Sequence, residues 1–161
     1  MRSVRAGFKH PVVDAQTTFR AVLRALAEPG RAQVIDVVLP DGLAVDPASA
    51  AILLALTDID TPCWAPPALR EELSDYLRFH TGARFVDDPR DAAIAVVRAV
   101  EDLPALAGFA VGSSMSPETS TTVIVTVVDF DSGVEVVLDG PGFDRPRQVA
   151  PAGFDGDRWD E

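Results

Sequence analysis

Few residues in this sequence could carry out covalent or proton-transfer chemistry. Cys63 is the only cysteine, and the only two histidines, His10 and His80, lie far apart along the chain. A reactive thiolate needs a base within reach, so we interpret Cys63 as a small buried apolar residue beside Trp64. The sequence has neither the Gly-x-Ser-x-Gly turn of many serine hydrolases nor a Gly-rich phosphate loop with Lys and Ser or Thr. It therefore predicts no catalytic residue.

The only lysine bears on cofactor chemistry. Pyridoxal phosphate is held as a Schiff base by a buried lysine amine, whereas Lys9 lies in the predicted N-terminal arm. We therefore expect no pyridoxal phosphate, and no cofactor of another kind.

Three other polar residues have both a chemical and a structural interpretation. His80 is expected at a helix C-terminus, where it would cap carbonyl groups rather than act as a base. Asp58 and Asp60 could bind Mg²⁺ through their oxygens, but turn and capping roles are more frequent. We expect the structural roles, and no metal site.

Two turns are the candidate anion-binding or interface sites. Before the clearest predicted strand, Glu118, Ser120 and Thr121 could cradle an anion with hydroxyl and backbone N–H groups. After the following strand, Gly140 and Gly142 permit positive φ and a close backbone approach to a ligand or a second chain. If the two strands form an antiparallel hairpin, both turns lie at one end of it. The glycine N–H groups would then bind the Glu118 carboxylate as a structural clasp, or bind an anion; ordinary turns are the alternative.

The elements that must position these turns follow an α/β pattern. The predicted helices run from Asp14 to Pro29-Gly30, from Asp46-Pro47 to Leu56, and from Pro66-Pro67 to Gly82. The predicted strands are 33–39, 91–99, 121–128 and 134–138, the last two joined at Gly133. Helices alternating with strands and followed by a hairpin predict a mixed sheet covered by helices on both faces.

Composition sets the class of protein. The chain of 161 residues fits one domain, 1–161, with a basic arm at 1–13 and a frayed acidic tail at 151–161. Its net charge of −11 argues against a nucleic-acid partner, although the first 31 residues hold six basic groups and two acidic ones. No apolar run is long enough for a membrane span or a signal peptide, so we expect a cytoplasmic protein.

The turns also occur in a recognisable order that covers nearly the whole chain. The series is Asp14-Ala15-Gln16 with Phe19-Arg20, Glu28-Pro29-Gly30, Leu56-Thr57-Asp58-Ile59-Asp60-Thr61-Pro62, Phe79-His80-Thr81-Gly82, Pro117-Glu118 with Ser120, and Leu138-Asp139-Gly140-Pro141-Gly142. It resembles the PhnH family, the H subunits of bacterial carbon-phosphorus lyase. The resemblance ends near Trp159, where relatives continue into a Phe-Pro-x-Gly-x-Asp segment and a further strand.

The resemblance implies a three-layer α/β/α sandwich similar to the large domain of pyridoxal-phosphate-dependent transferases, but without that cofactor. It also implies a homodimer that joins the G, I and J subunits. That assembly helps to attach a phosphonate to ribose 5-triphosphate by displacing adenine from ATP, and the H subunit has no assigned catalytic residue.

We therefore expect a non-catalytic subunit of the carbon-phosphorus lyase core complex, supporting α-D-ribose 1-methylphosphonate 5-triphosphate synthase activity. Two alternatives stay open. One is a free-standing protein or enzyme that binds a small anion or a nucleotide, and the other is a dimeric domain that has lost its partners.

Overall fold

Four short parallel strands form the central sheet of the computed structural model, which describes residues 4–141 and 143–159. The order is β2-β1-β3-β4, with Ile94 opposite Cys63 on one side and Thr122 on the other. The strands are β1 (Pro62–Trp64), β2 (Arg84–Phe85), β3 (Ile94–Val97) and β4 (Thr122–Val125). All the pairings in this sheet are parallel, so the predicted mixed sheet is wrong for this part of the chain.

Three long helices occur in the three segments where the sequence predicted helices, so these predictions are confirmed. They are α1 (Pro11–Ala27), α2 (Pro47–Leu56) and α3 (Pro67–His80), and a one-turn helix, α4 (Gly156–Trp159), lies in the segment expected to be frayed. Helix α1 begins before the predicted cap, because the Asp14 carboxylate reaches back and accepts the backbone N–H of His10 at 2.8 Å. Asp14 therefore stabilises the first turn from inside the helix.

The core lies on both faces of the central strand β3, which is buried throughout. Alternate side chains of a strand point to opposite faces, and Ile94 and Val96 pack with α2 and α3. Ala95 and Val97 pack on the other side with Trp64 and with Phe109, which follows a short 3₁₀ turn. In the described residues, helices cover one face, and irregular chain with 3₁₀ turns covers the other. The expectation of helices on both faces is not met there.

The predicted hairpin between 121–128 and 134–138 is wrong. Strand β5 (Val136–Leu138) pairs antiparallel with β6 (Arg147–Val149) in a separate two-stranded sheet. Between β4 and β5 the Asp129 carboxylate accepts hydrogen bonds from the backbone and hydroxyl of Ser132. The N–H of Gly133 then bonds the carbonyl of Ala150 at 2.7 Å, which directs the chain to β6 instead of β4.

The predicted strand at 33–39 is also absent. These residues lie outside both sheets, and Val34 and Val38 are exposed. Exposure alternates along the segment as in a strand, but no neighbouring strand pairs with it among the described residues. A β-branched sequence forms a ladder only where another strand lies beside it.

The N-terminal arm is fastened to α3 and to the chain before α2. His80 Nε2 lies 2.8 Å from the carbonyl oxygen of Arg5, and the hydroxyl of Tyr76 donates to the carbonyl of Ala6. The guanidinium of Arg5 donates to the carbonyl of Asp41 at 2.8 Å. The predicted capping role of His80 is therefore wrong in detail, because its ring bonds the arm and the Thr81 hydroxyl donates to the α3 carbonyl of Leu77.

Candidate functional site

Three of the five candidate residues lie in one turn before β4. The hydroxyl of Ser120 donates to the carbonyl of Pro117, and that of Thr121 donates to the carbonyl of Ala92 at 2.7 Å. The N–H groups of Ser120 and Thr121 bond carbonyl oxygens of Pro117 and Ala110. These donors hold the turn together, while the side chain of Glu118 is exposed.

The glycine turn is in a different sheet. Gly140 follows β5 with a φ of +153°, so the positive φ expected for this position is confirmed. Its N–H donates to the Asp139 carboxylate at 2.9 Å, so this donor does not hold Glu118. Gly142 lies outside the described residues. The prediction that Glu118 and Gly140 lie close together depended on the hairpin, which the structure does not contain. A shared role of the two residues at one site stays a prediction.

The polarity of the sheet assigns the Glu118 turn to its amino edge, because this turn precedes β4 and all four strands are parallel. Ligands of open parallel sheets bind outside the carboxyl ends of the strands, near the point where the strand order reverses. Here β1 connects to β2 on one side and β3 connects to β4 on the other, so the reversal lies between β1 and β3. The carboxyl ends of β1 and β3 are therefore the place to look for a cleft.

A cleft of about 460 Å³ lies on the other side of β1, at the carboxyl ends of β1 and β2, and sequence reasoning missed it. Its lining includes Trp64 at the end of β1, Arg70 and Ser74 on α3, and Asp87 just after β2. Arg70 forms an ion pair with Asp87 and also points to the carbonyl of Val86 at 3.5 Å. With the guanidinium bound to Asp87, the cleft offers a paired cation rather than a free one.

Arg98 also lies at the carboxyl edge of the sheet, directly after β3. Its guanidinium lies 3.6 Å from the carboxylate of Glu72 on α3, and both side chains are substantially exposed. This pair links the end of a central strand to the helix that borders the cleft. The Arg98–Glu72 pair therefore connects two elements of the fold, although exposed ion pairs of this kind contribute little stability.

Cys63 has the structural role expected from the sequence. Its side chain is fully buried in the core between the sheet and α3. Burial raises the pKa of the thiol to about 11, so the group is protonated at neutral pH. The buried interpretation of Cys63 is confirmed.

Asp58 and Asp60 lie in one turn. The Asp58 carboxylate accepts the backbone N–H of Asp60 at 2.9 Å and the hydroxyl of Thr61 at 2.7 Å. These hydrogen bonds hold the pKa of Asp58 below its ordinary value. The predicted turn role is confirmed, and no group of three potential metal ligands occurs in the described parts of the chain.

Asp46 is a partly buried carboxylate that connects two distant segments, and sequence reasoning assigned it only as a helix cap. Its Oδ1 accepts the backbone N–H of Ser49 at 3.0 Å, as expected of an N-cap. Its Oδ2 accepts the hydroxyl of Thr126 at 2.7 Å, just beyond β4. Burial raises the pKa of Asp46, but the hydrogen bonds from Ser49 and Thr126 outweigh it, so the pKa lies below its ordinary value. Asp46 thus ties α2 to the carboxyl edge of the sheet.

The fold and these sites define an α/β protein with a small parallel sheet, a cleft at its carboxyl edge, and polar groups used mainly for structure. No helix among the described residues has the length and apolar character needed to cross a membrane. The chain belongs to the family of the bacterial phosphonate metabolism protein PhnH, which it matches over residues 6–161.

Two relatives are similar over most of the chain. One is the α-D-ribose 1-methylphosphonate 5-triphosphate synthase subunit PhnH of Rhizobium meliloti (strain 1021). It is 32% identical over 148 residues, covering 91% of this chain and 74% of the relative. The other is a putative C-P lyase subunit protein, HtxG, of Stutzerimonas stutzeri. It is 34% identical over 149 residues, covering 89% of this chain and 68% of the relative. The family resemblance inferred from the turns is confirmed.

Proposed function

We propose that this chain is the H subunit of an α-D-ribose 1-methylphosphonate 5-triphosphate synthase and works in phosphonate breakdown. The observation that carries the proposal is the similarity to the Rhizobium meliloti subunit of that name, over 91% of this chain. The subunit contributes structure and contacts to a larger enzyme and contains no catalytic residue of its own. Its many hydroxyl and carboxylate groups engaged in turns and caps are in keeping with that role.

Genetic complementation tests this function. A bacterium that lacks its own H subunit is grown with methylphosphonate as the sole phosphorus source, with and without this chain. Growth that depends on the chain is expected. The variant Leu53→Asp is the negative control, because it places a carboxylate at a fully buried core position and prevents folding. Absence of growth with a well-expressed wild-type chain would contradict the proposal.

The isolated chain should have no synthase activity. We expect no adenine release from ATP and methylphosphonate with the purified chain alone, and release when the other subunits are added. Adenine release by the chain alone would instead support the alternative of a free-standing enzyme.

The assembly is part of the proposal. We expect the chain to form a homodimer in the cytoplasm and to bind the G, I and J subunits, without nucleic acid or membrane. Light scattering at micromolar concentration measures the dimer directly. A monomer under those conditions would contradict the homodimer.

The finer architecture is also proposed. We propose a single domain over residues 1–161. Its architecture would be a three-layer α/β/α sandwich like that of the pyridoxal-phosphate-dependent transferases, with α2 and α3 in one helical layer. The second layer would be the part of the chain with 3₁₀ turns that packs against Ala95 and Val97. A crystal structure of the assembled protein would test whether helices cover the face formed by these two residues.

The candidate anion-binding or interface residues Glu118, Ser120, Thr121, Gly140 and Gly142 belong to this proposal too. The exposed Glu118 side chain supports a contact outside the chain. Glu118→Gln should weaken complementation without changing the melting temperature. Unchanged growth with this variant would remove Glu118 from the site.

A further inference from the structure

Helix α1 has an apolar outer face. Val12, Phe19, Leu23 and Leu26 are 76%, 51%, 54% and 70% exposed. Their spacing of seven, eleven and fourteen residues from Val12 places them on one side of the helix. We call these four residues the α1 stripe. Single exposed apolar residues are common, but several large ones on the same side of one helix mark an interaction surface.

The stripe is separate from the face of α1 that stabilises the fold. Thr18 and Ala21 are the buried residues of the helix, on the side that packs against α2. A surface helix of a monomer is usually polar opposite its buried face. Helix α1 is instead apolar on a second side. Covering this side with a partner would be favourable, because it removes apolar surface from water.

The charges beside the stripe indicate what covers it. Arg20 and Arg24 are exposed, and neither forms an ion pair with any described residue. These unpaired guanidinium groups occur in a chain with a net charge of −11, where carboxylates are plentiful. The region before residue 32 is the basic part of this acidic chain, with six basic and two acidic groups. A partner that supplies carboxylates would complement them.

A second copy of the chain fits this surface less well. Two copies meeting through the α1 stripe would bring the arginines of one basic region close to those of the other, and like charges at an interface disfavour association. A different protein with an apolar groove bordered by Asp or Glu would cover the stripe and pair the guanidinium groups. Arginine and aromatic residues are enriched at protein interfaces, and this surface combines Phe19 with Arg20 and Arg24.

We propose that the α1 stripe, with Arg20 and Arg24, docks into an acid-rimmed apolar groove on another subunit of the synthase. This inference rests on the proposed function, because it takes the partner to be one of the G, I and J subunits.

The experiment measures binding of the purified full chain to the G, I and J subunits of the same organism, co-expressed without the H subunit. The test variant is Phe19→Ser with Leu23→Ser, and the matched control is Val34→Ser with Val38→Ser, whose side chains are 84% and 76% exposed. All four side chains are exposed, so both variants should keep the wild-type melting temperature. We expect the Kd to rise at least about tenfold for the stripe variant and to stay unchanged for the control.

A second pair of variants tests the charges. Arg20→Glu with Arg24→Glu should slow association and reduce its dependence on salt. Arg84→Glu with Arg90→Glu changes the net charge equally at exposed positions and should have a smaller effect.

The outcomes separate the surface from the function. If the wild-type chain binds none of the three subunits, both proposals are overturned. If the wild-type chain binds and the stripe variant binds equally well, the surface alone is overturned. If the stripe variant only converts a homodimer to a monomer, the occupant is a second copy, and the proposed partner is wrong.

Discussion

Removing the Asp46 carboxylate should loosen the connection between α2 and the carboxyl edge of the sheet. Asp46→Ala deletes the N-cap of α2, a loss of about 1 kcal/mol. It also removes the charged acceptor of the Thr126 hydroxyl, a further loss of about 1.5 kcal/mol. For a chain of this size, a sum of about 2.5 kcal/mol lowers the melting temperature by about 5 to 10 °C.

The pH dependence separates the charge from the cap. Asp46→Asn keeps a good capping residue and loses only the charge, so it should cost about 1 kcal/mol at pH 7. Because the pKa of Asp46 is lowered in the folded protein, the stabilisation by its charge is present above the unfolded pKa of about 3.9. It is lost as the pH falls through the folded pKa. The free-energy gap between wild type and Asp46→Asn should therefore be constant from pH 7 to about 5 and close progressively below that.

Urea unfolding at a series of pH values measures this gap. Asp36→Asn, at an exposed position, is the control for the change in net charge. In a double-mutant cycle, Thr126→Val with Asp46→Asn should give a coupling energy of about 1 kcal/mol. A gap that stays the same down to about pH 2.5, or a cost below about 0.5 kcal/mol for Asp46→Ala, would refute the reasoning.

Three further substitutions or reactions have defined outcomes. Thr18→Val should raise the free energy of unfolding by about 1 kcal/mol, because the buried Thr18 hydroxyl has no hydrogen-bond partner among the described residues. Thr57→Val loses a bonded hydroxyl and should lower the free energy of unfolding. Denaturant titration measures both changes, and a loss of stability for Thr18→Val would contradict the reasoning. Gly112→Ala should destabilise the protein by about 1 to 3 kcal/mol, because φ is +69° and the new Cβ would lie 3.0 Å from a carbonyl oxygen. Gly108→Ala should be near neutral, because no atom of the described residues outside its chain neighbours lies within 4 Å of the new Cβ. Equal melting temperatures for the two variants would exclude the strain. Cys63 should react with a thiol reagent at pH 8 only as fast as the protein unfolds, because its thiol is buried and has a pKa of about 11. Rapid labelling of the native protein would show instead that the thiol is accessible.

The helices were predictable because their signals are local. Asp46-Pro47 marks the start of α2 with a capping side chain and a proline, and both roles depend on a few neighbouring residues. Strands β1 and β2 have three and two residues, too few for any period to be recognised, and they exist through their pairing with distant chain. For the same reason the β-branched segment 33–39 was predicted as a strand, although it has no partner in the described structure.

The candidate site depended on one assumption about strand direction. Consecutive strands joined by a short glycine-containing segment suggest a hairpin, and a hairpin brings the residues before its first strand next to those after its second. β4 instead runs parallel to β3, so Glu118 and Thr121 lie at the amino edge of the sheet. In a parallel sheet the residues that follow the strands converge, and here these include Asp87 after β2, Arg98 after β3 and Thr126 after β4. Each of them forms a hydrogen bond or ion pair with a residue of α3 or with the N-cap of α2, which no local pattern encodes. The carboxyl edge was therefore outside the reach of sequence reasoning, because no local pattern gives the direction of the strand that precedes each of these residues.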